Sequence, residues 1–351
     1  MNKKYFPAQI VWEITLRCNL KCIHCGSFAG QSRPNELTTN EALTLCNDLA
    51  EIKTQEVCLM GGEPFLRKDW QIIAKKVKDL NMKLLLISNG FIVNKSIILK
   101  LKKLDPYAVS TSLDGATAKT HDFIRGKNGS FKKVMDFISL SKEENLPTTV
   151  ITTVNKINLK ELPQIRDFLL NKKIAWQIQV GTPEGRFVKK YALSKEEYYS
   201  VALFIASLKS KYTSKEMPAI GAHCFGYHSK HLPSLGLNSE WTGCQAGISI
   251  LSIKSNGDLI GCLATPDSLI EGNLRERSII DIWNDPNSFA YNRKFKIKNL
   301  GENCKKCRHG KTCRGGCLGM SIGFTGAAHN HPYCFYKLEE ELFEQNKSGV
   351  K

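Results

Sequence analysis

Residues 9–25 read QIVWEITLRCNLKCIHC. Their first part, Gln9–Thr15, is a short apolar run that predicts a buried β-strand. Cys18, Cys22 and Cys25 then fall on one short loop directly after that strand. Residues 56–64, EVCLMGGEP, repeat the layout, with an apolar strand at Val57–Met60 leading into Gly61-Gly62-Glu63-Pro64. Two strands that each end in a loop rich in reactive or flexible residues set the frame for the rest of the chain.

From there outward, strand and helix signals alternate. Thr38 with Glu41 predicts a capping box ahead of Ala42, Leu45, Leu49 and Ile52 on one helix face. Helices are expected near Asp69–Leu80, up to Leu104, over Phe131–Glu144 and over Leu159–Leu170, with strands at Lys83–Ile87, Tyr107–Leu113, Thr148–Val154 and Ile174–Val180. Ser194 with Glu197 caps a last helix to about Tyr212. Six strands alternating with helices predict an α/β fold with a parallel sheet and right-handed crossovers, as an open doubly wound sheet or a partial (β/α)6 barrel. In either, ligand chemistry gathers at the carboxyl ends of the strands, where the cysteine loop and Gly61-Gly62 lie. After Lys215 the alternation stops and Gly, Cys and polar residues take over. Asn256-Gly257 predicts a hairpin between Ile248–Lys254 and Asp258–Leu263. The expected division is residues 1–215 and a small Cys-rich α+β domain at 216–351, pinned by metal as well as by its core.

The 351 residues are 42% apolar and 24% charged, as in an ordinary globular protein. No apolar run approaches the roughly 18–20 residues that span a bilayer, so no membrane partner is expected. Phe6–Ile14 is too short and interrupted for a signal peptide, which makes a cytoplasmic location the expectation. The net charge of +17 fits a partner of opposite charge, such as nucleic acid, an acidic peptide or an anionic cofactor. Solvated lysine-rich faces such as Lys95–Lys103 explain it more simply.

Thirteen cysteines in a chain without an export signal read as metal ligands or redox groups. Cys46 on a helix face and Cys58 in a strand read as core residues. Three cysteines on one loop can hold a cubane iron–sulfur cluster with one iron open to a further ligand. A zinc site completed by His24 is the alternative.

The segment from Cys18 to Cys25, C-x3-C-x2-C after Glu13-Ile14-Thr15, resembles the radical S-adenosylmethionine (SAM) superfamily. The resemblance implies a [4Fe–4S] cluster on Cys18, Cys22 and Cys25 whose open iron chelates SAM. It further implies reductive cleavage of SAM to a 5′-deoxyadenosyl radical that takes hydrogen from a substrate. Gly61, Gly62 and Glu63 match the family's GGEP segment, with Glu63 on the SAM amino group. Ser88 and Asn89 in Ser88-Asn89-Gly90, and Ser112 and Asp114 in Ser112-Leu113-Asp114-Gly115, match segments that bind ribose or the methionine part. Arg125 matches an arginine on the SAM carboxylate. Each segment also reads as a plain turn.

Cys244-x12-Gly257-x4-Cys262, Cys304-x2-Cys307-x5-Cys313-x3-Cys317 and Cys334 resemble the SPASM domain, which carries two auxiliary [4Fe–4S] clusters. The resemblance implies one cluster on Cys304, Cys307, Cys313 and Cys334, and another on Cys244, Cys262 and Cys317. Either Cys224 completes the latter or an iron stays open there. His223, His228 and His231 read as loop residues.

Such enzymes oxidise or cross-link residues of peptides and proteins, so a peptide-modifying maturase is the expectation, with flavodoxin or ferredoxin as reductant. A sulfatase-maturase-like enzyme is the runner-up. Leu263 stands where those enzymes carry an acid, and Asp258 and Asp267 are off that pattern, so no catalytic acid or base is assigned. A haem- or cofactor-pathway enzyme is a third reading. Fewer than twenty residues precede Cys18, so no fused peptide-recognition domain is expected there. An acidic leader would therefore bind another surface or a separate protein. A zinc-binding, nucleic-acid-binding protein, supported by Cys304, Cys307 and the basic charge, leaves Gly61-Gly62-Glu63-Pro64 unexplained.

Overall fold

The computed structural model describes residues 5–225, 228–236 and 240–348; the polar, basic start at 1–4 lies outside the described residues. Among the described residues, ten strands run in chain order: β1 (Gln9–Thr15), β2 (Glu56–Gly61), β3 (Lys83–Ser88), β4 (Ala108–Ser112), β5 (Thr148–Val154), β6 (Ala175–Val180), β7 (Ala219–Gly221), β8 (Ile250–Ile253), β9 (Asp258–Ile260) and β10 (Ile270–Asn273). The longer helices are α1 (Thr39–Glu51), α2 (Trp70–Asp79), α3 (Lys95–Leu104), α4 (Ala118–Arg125), α5 (Ser130–Glu143), α6 (Leu162–Lys172) and α7 (Lys195–Lys211). The chain forms two compact units, Met1–Ile151 with Glu184–Arg186 and Gln245–Lys294, and Thr152–Pro183 with Phe187–Cys244 and Phe295–Lys351. No helix among the described residues is long and apolar enough to cross a membrane.

In the first unit, Ile10, Trp12 and Ile14 of β1 are wholly buried. β1 pairs in parallel with β2, Val11 beside Cys58 and Trp12 beside Leu59, and β3, β4 and β5 continue the parallel order. α1 begins with the expected Thr38–Glu41 capping box and buries Ala42, Leu45, Cys46 and Leu49. Cys46 and Cys58 are core residues. α4 buries His121, Ile124 and Arg125. Thr117 caps its start and Gly126 ends it at φ 63. A Cβ on Gly126 would lie 2.4 Å from the Lys21 carbonyl oxygen, so the glycine lets the end of α4 close on the cysteine loop.

The predicted hairpin forms as β8 and β9, antiparallel. β8 also lies parallel to β1, with Gln9 beside Ile250 and Trp12 beside Ile253, and β10 adds antiparallel to β9. The strand order in this unit is β10-β9-β8-β1-β2-β3-β4, followed by the start of β5. The sharp turn after β8 therefore lies at the same sheet end as the cysteine loop after β1.

In the second unit, β6 pairs in parallel with β7, Trp176 beside Ala219. The Trp176 indole donates to Thr152 Oγ1 at 2.8 Å, which satisfies a buried polar group in an apolar layer. α7 begins with the Ser194–Glu197 capping box and buries Tyr198, Val201, Ala202, Ile205 and Leu208. Short helices and turns follow, ending in Leu318–Thr325 and Phe335–Ser348.

Candidate functional site

The loop after β1 is held by its own backbone. The Cys18 amide donates to the Gly30 carbonyl at 2.9 Å, and the Gly30 amide returns to Leu16 at 3.1 Å. The Glu36 carboxylate accepts from the Leu16 amide (2.8 Å), the Arg33 amide (3.1 Å) and the Thr15 hydroxyl. Each sulfur then meets an N–H donor. Asn89 Nδ2 lies 3.7 Å from Cys18 Sγ, Arg125 Nη1 3.6 Å from Cys22 Sγ, and the Ala29 amide 3.3 Å from Cys25 Sγ. Burial pushes the Cys18 thiol up to about 11 and raises Cys22, where the Arg125 guanidinium opposes the rise. Thiols in a donor-lined pocket that burial keeps protonated fit metal-bound thiolates, because bound irons reverse the preference for the neutral form. Three such sulfurs on one loop fit a cubane with an open iron.

Gly61 and Gly62 bring the end of β2 against that loop. A Cβ at Gly61 would fall 2.1 Å from the Thr15 carbonyl oxygen, and one at Gly62 2.4 Å from that of Arg17. The space they free admits hydrogen bonds from the Gly62 amide to Thr15 and from the Glu63 amide to Arg17. Glu63 is wholly buried and accepts from Ser88 Oγ at 2.9 Å and the Asn89 amide at 2.8 Å. Burial pushes its carboxyl up to about 7 against these hydrogen bonds. Asn89 also donates to Asn19 Oδ1 at 2.8 Å, and Ser112 lies half-buried at the end of β4.

Asp114 and Arg125, read separately from the sequence, meet each other. Asp114 is wholly buried and pairs with Arg125 Nη2 at 2.6 Å, with His24 Nε2 3.3 Å away. Burial holds His24 down to about 4, so its ring is neutral. Arg125 Nε and His24 Nδ1 are buried without a hydrogen-bond partner. An orphaned guanidinium N–H beside the cysteine loop fits a ligand that brings an acceptor such as a carboxylate.

Three features carried no sequence signal. Arg186 donates from its amide to Cys25 O (3.0 Å), from Nε to Cys22 O (3.0 Å) and from Nη1 to Ala29 O (2.8 Å). Arg33 pairs with Glu13 at 2.7 Å, and Ser255, after β8, donates to the same carboxylate. Lys254, almost wholly buried, pairs with Asp267. Near these, Glu184 is half-buried, and its carboxyl is pushed up to about 7 by burial and by Asp267, against Lys254.

In the second unit, Cys304, Cys307, Cys313 and Cys334 line one cavity together with His331 and Lys337. Backbone groups of His331, Gly316 and Lys337 hydrogen-bond the sulfurs of Cys304, Cys313 and Cys334, and burial pushes Cys313 up to about 12 and Cys334 to about 11. Cys224 lies on the turn His223–Phe225, its thiol pushed up to about 12 by burial. Cys317 precedes the helix Leu318–Thr325. Cys244 belongs to this unit and Cys262 to the first. His223, His228 and His231 sit in turns or irregular chain.

A parallel α/β sheet with a three-thiol loop at its carboxyl end, followed by a Cys-rich region, defines an iron–sulfur radical enzyme. Residues 12–169 match the Radical SAM superfamily and residues 244–308 the SPASM iron–sulfur cluster-binding domain, and the chain belongs to this family. An AdoMet-dependent heme synthase of Methanosarcina barkeri is 29% identical over 94% of this chain and 97% of its own. A mycofactocin maturase of Mycobacterium ulcerans is 26% identical over 93% and 86%. SuiB of Streptococcus suis, solved with S-adenosylmethionine, shares the fold at TM-score 0.73 and 19% identity, covering 95% of this chain and 76% of its own. The cofactors are SAM and [4Fe–4S] clusters.

Proposed function

We propose that this enzyme abstracts hydrogen from a peptide or protein residue and leaves that residue oxidised or cross-linked. When bound, SAM and the reduced cluster supply a 5′-deoxyadenosyl radical. Cys18, Cys22 and Cys25 would hold the cluster, and Arg186 fixes the carbonyls between them. Gly61, Gly62, Glu63, Ser88, Asn89 and Ser112 would shape the SAM pocket. Arg125, oriented by Asp114, would offer its free Nε–H to the SAM carboxylate. Cys304, Cys307, Cys313 and Cys334 would hold one auxiliary cluster. On spacing alone, Cys244, Cys262 and Cys317 would hold the other, with Cys224 as its fourth ligand. Residues 1–215 and 216–351 would divide these roles, in the cytoplasm, with flavodoxin or ferredoxin as electron donor.

The likeness to the mycofactocin maturase over most of both chains carries the choice of a peptide substrate. The cations Arg33, Arg125 and Lys254 are each matched to a carboxylate, Glu13, Asp114 and Asp267, and Glu184 adds one more carboxyl. Charges cancelled in pairs neither attract nor repel a ligand strongly, so this surround leaves room for a peptide segment without selecting its charge. A haem-pathway reaction is the second reading, favoured by the full-length likeness to the heme synthase.

The test co-expresses the enzyme with peptides encoded beside its gene and reads the peptide mass, with Cys18→Ala as control. A loss of hydrogen that needs Cys18 supports the peptide reading. Unchanged peptide mass, together with conversion of a carboxylated porphyrin by the purified enzyme, replaces it with the second.

A further inference from the structure

Tyr198, on the buried face of α7, is 1% exposed. Its ring stacks on Phe225 at 5.0 Å and on Phe335 at 5.2 Å, and meets Tyr333 at 5.3 Å. Phe225 adjoins Cys224, while Tyr333 and Phe335 flank Cys334 on either side. The Tyr198 hydroxyl donates to the Cys224 carbonyl. One side chain thus touches both neighbours of Cys334 and both the backbone and the neighbour of Cys224, all within the second unit.

Packing alone would be served by phenylalanine. A buried hydroxyl costs desolvation and is retained where it has a partner to direct. Here the partner is the backbone of a cysteine. The phenol lies near Cys224, Cys317, Cys334 and Cys313, cysteines read as ligands of different clusters.

We propose that Tyr198 is a positioning residue that couples the two auxiliary iron–sulfur sites, its ring setting the spacing of the Cys224 and Cys334 turns and its hydroxyl orienting Cys224. This rests on the reading that Cys224 and Cys334 are ligands of separate clusters. Cluster potentials respond to hydrogen bonding and to exclusion of water. The hydroxyl governs the first of these at one site, and the ring governs the second at both.

The test reconstitutes full-length Tyr198→Phe and Tyr198→Leu anaerobically with iron and sulfide, counts iron, and follows each auxiliary cluster by EPR-monitored redox titration. In Tyr198→Phe, the expected result is full iron content with a shifted potential only for the cluster bearing Cys224. Tyr198→Leu is expected to shift both. Unmoved potentials in Tyr198→Phe at full iron content overturn the proposal, whether or not Tyr198→Leu folds. Cys224→Ala separates the two layers. If it keeps wild-type iron and spectra, the ligand reading falls and the proposal with it. If it loses one cluster while the Tyr198 variants keep wild-type potentials, the proposal alone falls.

Discussion

Arg186 Nε donates to the backbone carbonyl oxygen of Cys22 at 3.0 Å, from a turn 164 positions further along the chain. Together with the bond to Ala29, it ties both ends of the Cys22–Ala29 segment to one planar group.

Removing that group should loosen the loop before it alters the chemistry. Arg186→Ala is expected to lower iron content at the three-cysteine site and to destabilise the chain by about 1.5–3 kcal/mol, the scale of a hydrogen bond from a charged donor. Arg186→Lys should recover only part of both, since an ammonium lacks the forked geometry. Iron assay and urea unfolding read the two effects, and wild-type values in Arg186→Ala would contradict the clamp.

Asp114→Asn should do more damage than its own bonds explain. It strands a buried guanidinium, a loss of roughly 3–5 kcal/mol when one member of a buried pair is removed. SAM binding, measured by equilibrium dialysis, should weaken because Arg125 is free to rotate. The double variant Asp114→Asn/Arg125→Met should be more stable than the sum of its single changes. Simple additivity would mean that the pair is not coupled.

Glu184 gives a pH signature with an unusual sign for a carboxyl. Its folded value of about 7 lies above the ordinary carboxylate range, so the folded chain binds the proton more tightly than the unfolded one. Stability from this group is present at low pH and declines as pH rises through about 7. Glu184→Gln should therefore unfold at a higher temperature than wild type at pH 8. The gain should be about 1 kcal/mol or less after solvent screening. The two should converge near pH 5. Anaerobic thermal melts at both values check this, and an equal difference at each pH would exclude it.

The cysteine sets should separate in reconstituted protein. Cys18→Ala is expected to remove about four irons per chain and all 5′-deoxyadenosine formation. Cys334→Ala should remove a cluster yet leave SAM cleavage by the first site measurable. Loss of SAM cleavage in Cys334→Ala with iron retained at the first site would break that independence.

What the sequence disclosed was local. Thr38 with Glu41 and Ser194 with Glu197 each formed the capping box read from them, and the hairpin at Asn256-Gly257 formed with only Gly257, not Asn256, at positive φ. The spacing of the cysteines likewise needs no tertiary context. α4 is short and two of its three buried residues, His121 and Arg125, are polar, so it offers no apolar run to read. Asp114 and Arg125 each read as a direct cofactor contact, and only the fold shows that they pair through Arg125 Nη2, leaving Nε without a partner. Arg186 belongs to no motif, because its partners are backbone carbonyls that any sequence would supply.

The parallel pairing of β8 with β1 has a consequence for how the chain comes into being. The strand that covers the second edge of β1 is synthesised more than two hundred residues after it. Until Ile250–Ile253 arrives, one side of Gln9–Trp12 is an open hydrogen-bonding edge beside a loop of reactive thiols. Such an edge recruits strands from other chains, and loop closure over that span is slow. Fragments ending before residue 250 should therefore aggregate during synthesis, and a chaperone that shields nascent β1 should raise the yield of the enzyme.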